Sequence, residues 1–128
     1  MRIIDSSVIV KYFSEEPGWE DVEVYLYEPI SIRLSMMELG SALLKKVRKN
    51  ELDHKKAAEI LERYPETFRF IEERKHISKA FEIAKKYGTS IYDAMFIAVA
   101  LKNSYGLVTC DKYQAEIARK AGIKTTEC

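Results

Sequence analysis

Short apolar runs alternate with amphipathic helical patterns along this chain, and few folds accept that alternation. Arg2-Ile3-Ile4-Asp5, Ile30 to Leu34, Phe68 to Ile71, Leu107 to Thr109 and Ile123-Lys124 read as strands. Between them lie helical stretches with recognisable starts and stops. Ser6 and Ser7 are placed to cap Val8 to Phe13, and Trp19 to Tyr27 reads as a second helix ending before Pro29. Ser35 is placed to cap a long helix to about Asn50, with Met37, Leu39, Leu43, Leu44 and Val47 at its apolar positions. Asp53 opens a helix expected to stop near Tyr64, before Pro65. Ser78 to Tyr87 closes at Gly88, Ser90 opens a helix to about Asn103, and Asp111 opens one that Gly122 stops. Strand and helix in alternation predict the α/β class, with a parallel sheet covered by helices on both faces. A sheet buried on both sides needs a large apolar fraction, and 47% of this chain is apolar. Its 128 residues suit a single domain, residues 1–128.

Several functional classes drop out at once. Lys plus Arg is 21 and Asp plus Glu is 20, so net charge favours no class of partner and only local clusters can. Cys110 and Cys128 form no C-x-x-C pair, which predicts neither a structural disulfide nor a zinc site and fits a reducing cytoplasm. The longest apolar run, Ala94 to Leu101, is too short to span a bilayer, and Asp5 interrupts the apolar start, so neither a membrane span nor a signal peptide is expected. Walker A and G-x-G-x-x-G motifs are absent. His54 and His76 sit in charged stretches and read as solvated rather than as a catalytic pair. Cys110 lacks a nearby histidine and reads as a small buried side chain.

The acids are more informative. Asp5, Glu38, Asp93 and Asp111 each stand where a strand has ended or a helix begins. In a parallel α/β sheet, sites form outside the carboxyl ends of the strands. Asp5 and Asp111 follow the first and fourth strands, and Glu38 lies in the first turn after the second. Asp93 opens a helix that must run antiparallel to the fourth strand, which brings it to the same edge. Ordinary capping explains much of this: Ser35-Met36-Met37-Glu38 fits a capping box, Ser90-Ile91-Tyr92-Asp93 fits one loosely, and Asp111 is a common N-cap. Capping does not explain Asp5, an acid ending an apolar strand. Four carboxylates at one edge repel one another, and Mg²⁺ or Mn²⁺ relieves that better than helix termini do.

These blocks resemble a known family. Ile4-Asp5-Ser6-Ser7-Val8-Ile9-Val10-Lys11, Ser35-Met36-Met37-Glu38, Ser90-Ile91-Tyr92-Asp93-Ala94 and Leu107-Val108-Thr109-Cys110-Asp111-Lys112 are similar, in order and spacing, to the motifs of PIN-domain nucleases. Within that family they most resemble the VapC-type toxins of toxin–antitoxin pairs, over essentially the whole chain. The resemblance implies a three-layer α/β/α sandwich with strand order 3-2-1-4-5. It implies a metal-dependent endoribonuclease whose acidic quartet is Asp5, Glu38, Asp93 and Asp111, with Asp5 and Asp93 as the direct ligands of Mg²⁺ or Mn²⁺. Ser7 and Thr109 match supporting hydroxyl positions. A small antitoxin and a second copy of the chain are the partners it implies.

The chemistry has its own logic. Mg²⁺ held by carboxylates keeps several waters, and a water of lowered pKa can attack a phosphodiester in line. Water as nucleophile leaves a 5′-phosphate and a 3′-hydroxyl. RNA approaching an acidic cleft needs cations nearby. Lys45 and Lys46 belong to the strongest basic cluster, while Lys11 and Lys112 lie closest in sequence to the acids. Tyr12, Phe13, Trp19, Tyr25 and Tyr27 crowd the first two helices and offer an apolar surface to a partner. A housekeeping PIN nuclease that matures ribosomal or other RNA would show the same site. A receiver-like signalling domain would want an Asp after the third strand, where Phe70-Ile71-Glu72 has none. A catalytically silent binding module would have no use for four mutually repelling acids.

Overall fold

The computed structural model describes residues 1–128. Its five strands are β1 (Arg2–Ile4), β2 (Ile30–Ile32), β3 (Arg69–Ile71), β4 (Gly106–Thr109) and β5 (Thr125–Glu127). They form one sheet in the order β3-β2-β1-β4-β5, and every pairing is parallel. The helices are α1 (Ser6–Phe13), α2 (Trp19–Val22), α3 (Leu34–Arg48), α4 (His54–Thr67), α5 (Ile77–Tyr87), α6 (Ile91–Lys102) and α7 (Lys112–Lys120). This is the expected three-layer sandwich in the expected strand order.

The pleat divides the core in two. Neighbouring residues on a strand point to opposite faces. Ile3 and Leu107 therefore join the cluster under α5, α6 and α7, while Ile4 and Val108 join the cluster under α1, α3 and α4. Residues Ala94 to Ala100 of α6 are buried on every side, as expected of a helix wedged between the sheet and α5. Gly106 is dictated by close approach, since a Cβ there would stand 2.9 Å from the Lys124 carbonyl oxygen.

Several local expectations are corrected. The N-cap of α1 is Asp5, whose Oδ1 accepts from Ser7 N at 3.0 Å, so Ser6 and Ser7 are helical. Leu34 belongs to α3 rather than to β2, and Ser35 is no cap: its hydroxyl donates to the Ile32 carbonyl at 2.6 Å and meets the Tyr64 hydroxyl. Met37 and Leu44, assigned to the apolar face of α3, are exposed. Trp19 to Tyr27 divides into α2 and a 3₁₀ turn, Glu23–Leu26. Pro65 stays inside α4. It lies on the exposed side within the last turn, where water can take the carbonyl left without its helical donor. β5 begins at Thr125, because Ile123 is drawn into the core under α7.

The largest correction concerns the cysteines. Cys110 and Cys128 are joined in a disulfide, which ties the residue after β4 to the residue after β5. Spacing alone excluded the pairing, because it ignored the adjacency of β4 and β5: parallel neighbours bring their carboxyl ends together. The Cα atoms are 4.6 Å apart, within disulfide reach. Closing a loop of this length stabilises a fold by about 3 kcal/mol. Cys128→Ser should therefore lose about 3 kcal/mol in urea unfolding under non-reducing conditions and nothing beyond wild type under reducing ones. Equal stability of the two proteins without reductant would show that the bridge contributes nothing.

Candidate active site

The carboxyl ends of β1 and β4 open on a cleft of about 750 Å³ lined by Asp5, Glu38, Asp93 and Asp111. Each acid arrives by a different route. Asp5 leaves β1, where its backbone N donates to the Val108 carbonyl at 3.1 Å, so the pairing with β4 continues up to the acid itself. Asp111 caps α7, its Oδ1 accepting from Tyr113 N at 2.9 Å and Gln114 N at 3.1 Å. Asp93 sits in the first turn of α6, where Ser90 Oγ accepts its backbone N–H at 3.1 Å. Glu38 lies one turn into α3 and accepts from Ser6 Oγ at 2.7 Å across 32 residues of sequence. The inference that α6 would deliver Asp93 to the edge reached by Asp5 and Asp111 is met by this lining.

The hydroxyls beneath the cleft form one chain. Ser7 Oγ donates to Asp5 Oδ1 at 2.5 Å and accepts from Cys110 N at 2.8 Å. Thr109 Oγ1 lies 3.1 Å from Ser7 Oγ and accepts from Asp111 N at 3.0 Å. Ser7 has one proton, and Asp5 takes it, so Thr109 supplies the proton between the two hydroxyls. Ser7 and Thr109 thus link the acid after β1 to the acid after β4.

Electrostatics explain why this edge is unusual. Asp5 is 4% exposed, and desolvation pushes its carboxyl up to about 6 despite the Ser7 side-chain and backbone bonds that favour the ionised form. Burial, then the charge of Asp93, raises Glu38 against the bond from Ser6. Burial, then the charge of Asp111, raises Asp93 against the bond from Ser90. Asp5, Glu38 and Asp93 are therefore partly desolvated, and a neighbouring carboxylate disfavours the ionisation of both Glu38 and Asp93.

The donor set fits a hard divalent cation. All the acids offer oxygen, and both bonds from Ser7 fall on Oδ1 of Asp5, not Oδ2. No three of the acids close into a complete cage, so the geometry does not make the quartet four simultaneous direct ligands. Mg²⁺ suits such a site, since it is commonly held by one or two carboxylates and keeps the rest of its shell as water.

The other residues singled out in the sequence divide. Lys11 and Lys46 line the cleft, and Lys46 pairs with Glu16 at 3.2 Å. Lys45 lines an adjoining groove with Lys46 and Lys49, whereas Lys112 is exposed at the start of α7 and outside the lining. His54 is exposed, but His76, expected in solvent, is buried outside the cleft, and desolvation lowers its pKa. Cys110 is half-buried and bridged rather than a buried thiol. Three participants escaped sequence reasoning: Ser6, which holds Glu38; Gln114, whose Nε2 donates to the Asp93 carbonyl at 2.9 Å; and Cys128, which lines the cleft through its bridge to Cys110. Ser6 follows Asp5 directly, yet nothing in sequence signals its distance from Glu38.

Comparison with known proteins agrees with this fold. The PIN domain family model matches residues 2–120. The chain belongs to the PIN domain family. It is 28% identical over 120 residues to ribonuclease VapC3 of Pyrobaculum aerophilum, covering 89% of this chain and 92% of that one. Among solved structures it resembles PAE2754 from Pyrobaculum aerophilum, with a TM-score of 0.77, 22% identity and coverage of 97% and 82% of the two chains. FitAcB from Neisseria gonorrhoeae aligns with a TM-score of 0.70 and 18% identity over 99% and 97%. A toxin–antitoxin complex from Klebsiella pneumoniae aligns with a TM-score of 0.62 and 16% identity over 87% of each chain. These likenesses are to the fold.

The raised Asp5 carboxyl fixes a pH dependence. The folded state holds this proton more tightly than the unfolded state between about pH 4 and 6, so ionising Asp5 costs the fold about 3 kcal/mol by pH 7 and nothing below pH 4. Asp5→Asn keeps the Oδ1 acceptor and carries no charge. In metal-free buffer it should be more stable than wild type by up to about 3 kcal/mol above pH 6, the gap closing toward pH 4. A gap that ignores pH in urea titrations would refute the desolvation account.

Proposed function

We propose that the protein is an Mg²⁺- or Mn²⁺-dependent endoribonuclease, the toxin of a type II toxin–antitoxin pair, acting through Asp5, Glu38, Asp93 and Asp111. One observation carries this reading: acids from four separate segments line a single cleft, and burial keeps Asp5 a reluctant anion there. Helix capping accounts for Asp5 and Asp111 but not for Glu38 and Asp93, which are the N-caps of no helix. Membership of the PIN domain family and the likeness to a named VapC ribonuclease support it.

Each residue then has a task. Asp5 and Asp93 present the oxygens that hold the cation, with Ser7 and Thr109 fixing Asp5 and Ser90 anchoring the turn that carries Asp93. A cation held there would neutralise charge on the phosphate and would supply a nucleophilic water at neutral pH. Glu38, held by Ser6 and raised by burial, is tuned to accept that water's proton. Asp111 would help orient that water. Lys11 and Lys46 offset the repulsion between phosphate and acids, and Lys45 extends the basic track beyond the cleft. Lys112 supports RNA from outside it.

Partners follow from surfaces away from the acids. Tyr12 packs edge-on against Phe13 and Trp19, and this aromatic set lines a groove with Lys56, Ile60 and Arg63. We assign that groove to the helical tail of a cognate antitoxin. A second apolar groove, lined by Met36, Met37, Ile77, Ile91, Tyr92 and Met95, supports homodimerisation. No helix is long and apolar enough to cross a membrane. We place the protein in the cytoplasm with its RNA, where a lasting disulfide is known among hyperthermophilic proteins.

RNA incubated with the protein and Mg²⁺ or Mn²⁺ should be cut to 5′-phosphate and 3′-hydroxyl ends, and EDTA should stop it. Asp5→Asn and Asp93→Asn should each lower the rate at least about a hundredfold while remaining folded. Wild-type cleavage by Asp5→Asn, or cleavage indifferent to EDTA, would sink the metal-site reading. Growth arrest on expression, relieved by the product of a neighbouring gene, separates a toxin from a housekeeping nuclease. Reversing charge at Lys45 and Lys46 should weaken RNA binding and reduce the slope of log K against log salt by about one per lysine. An unchanged slope would remove both residues from the RNA track.

A further inference from the structure

Gln114 breaks a local rule, and the break points at the acids. It occupies the third position of α7, three residues after the N-cap Asp111. In a capping box, a glutamine there reaches back to the N–H of the cap residue. Here that N–H goes to Thr109 Oγ1 instead. The Gln114 side chain, 3% exposed, turns away and donates from Nε2 to the Asp93 carbonyl at 2.9 Å. Its Oε1 is buried with no partner. Flipping the amide would set oxygen against carbonyl oxygen, so the bond itself fixes which atom faces Asp93.

An unpaired buried oxygen works against stability. The bond does not rescue an orphaned carbonyl either, because a carbonyl in the first turn of a helix already accepts from the residue four further on. The bond does hold two helices in relation to each other. No other hydrogen bond joins α6 to α7, and no ion pair does. Gln114 touches both acid-bearing turns: its backbone N donates to the Asp111 carboxylate, and its side chain donates to the Asp93 backbone.

We propose that Gln114 is a positioning residue that sets the spacing of Asp93 and Asp111 across the cleft, and with it the affinity of the site for a divalent cation. This rests on the metal-dependent reading above. Removing the amide deletes neither carboxylate but frees α7 to shift against α6, and Asp111 with it. Residues that orient metal ligands typically change metal affinity by about ten- to a hundredfold, and one acting through the backbone belongs at the lower end.

The test is calorimetric titration of metal-free protein with Mn²⁺, beside thermal unfolding and cleavage at several Mn²⁺ concentrations. Gln114→Met fills the same space without a donor. It should bind Mn²⁺ about tenfold more weakly, recover cleavage at saturating Mn²⁺, and unfold without metal at the wild-type temperature or above. Gln114→Asn, too short to reach Asp93, should show the same loss of affinity and serves if the first variant does not fold. Unchanged Mn²⁺ affinity in the folded variants overturns the proposal, as does a lowered unfolding temperature with unchanged affinity. Wild-type protein that binds no Mn²⁺ overturns the metal reading beneath it, and this inference with it.

Discussion

The parallel pairing of β1 with β4 sets the register Ile4↔Val108, and the ladder runs one residue further, through Asp5 N to the Val108 carbonyl. From that register the rest of the site follows. Asp5 is carried beside Thr109, Ser7 lands between them, and Cys110 donates its N–H into the same hydroxyl pair. A slip of one residue would exchange the two faces of the strand, sending Ile4 away from α1 and α3 and taking Asp5 off the edge. Burial of Ile3 and Ile4 in separate clusters forbids the slip, so packing within the sheet places a carboxylate above it.

The capping chemistry and the site chemistry share atoms, which decided how much was legible in the sequence. Asp5 and Asp111 are genuine N-caps and still face the cleft. A cap prefers a short acid at a helix start, and in this topology the starts of α1, α6 and α7 point at one edge. Alternating strand and helix patterns, read with the rule for parallel sheets, therefore bring the four acids to the one edge where the structure has them lining a cleft. Glu38 fits differently: the box expected of Ser35 and Glu38 does not form, because Ser35 faces Ile32 and Tyr64 in the core. Glu38 is then free to meet Ser6. Its place after β2 brings it to this edge, and the capping box is the explanation that falls away.

What stayed hidden depends on pairs far apart in sequence. The cysteine bridge needs β4 and β5 to be neighbours, which no spacing of the two cysteines reveals. His76 looked solvated among Arg74 and Lys75, yet a 3₁₀ turn buries the middle-sized ring and leaves its charged neighbours outside. Pro65 looked like a stop, but proline ends a helix only where its missing N–H and its ring matter, and the exposed last turn tolerates both.

The disulfide ties these threads to the site. Cys110 stands between Thr109, which holds the hydroxyl chain, and Asp111, which faces Asp93. Cys128 N also donates to the Thr109 carbonyl at 2.9 Å, so β5 is anchored to the same residue by a hydrogen bond and by the bridge beside it. Like-charged acids at the mouth of a sheet push the loops that carry them apart, and α6 and α7 share little else to resist that push. The bridge restrains the loop before α7 from one side, and Gln114 restrains its first turn from the other. Covalent and hydrogen-bonded restraint thus act together on the segment that carries Asp111, against the repulsion between its carboxylate and that of Asp93.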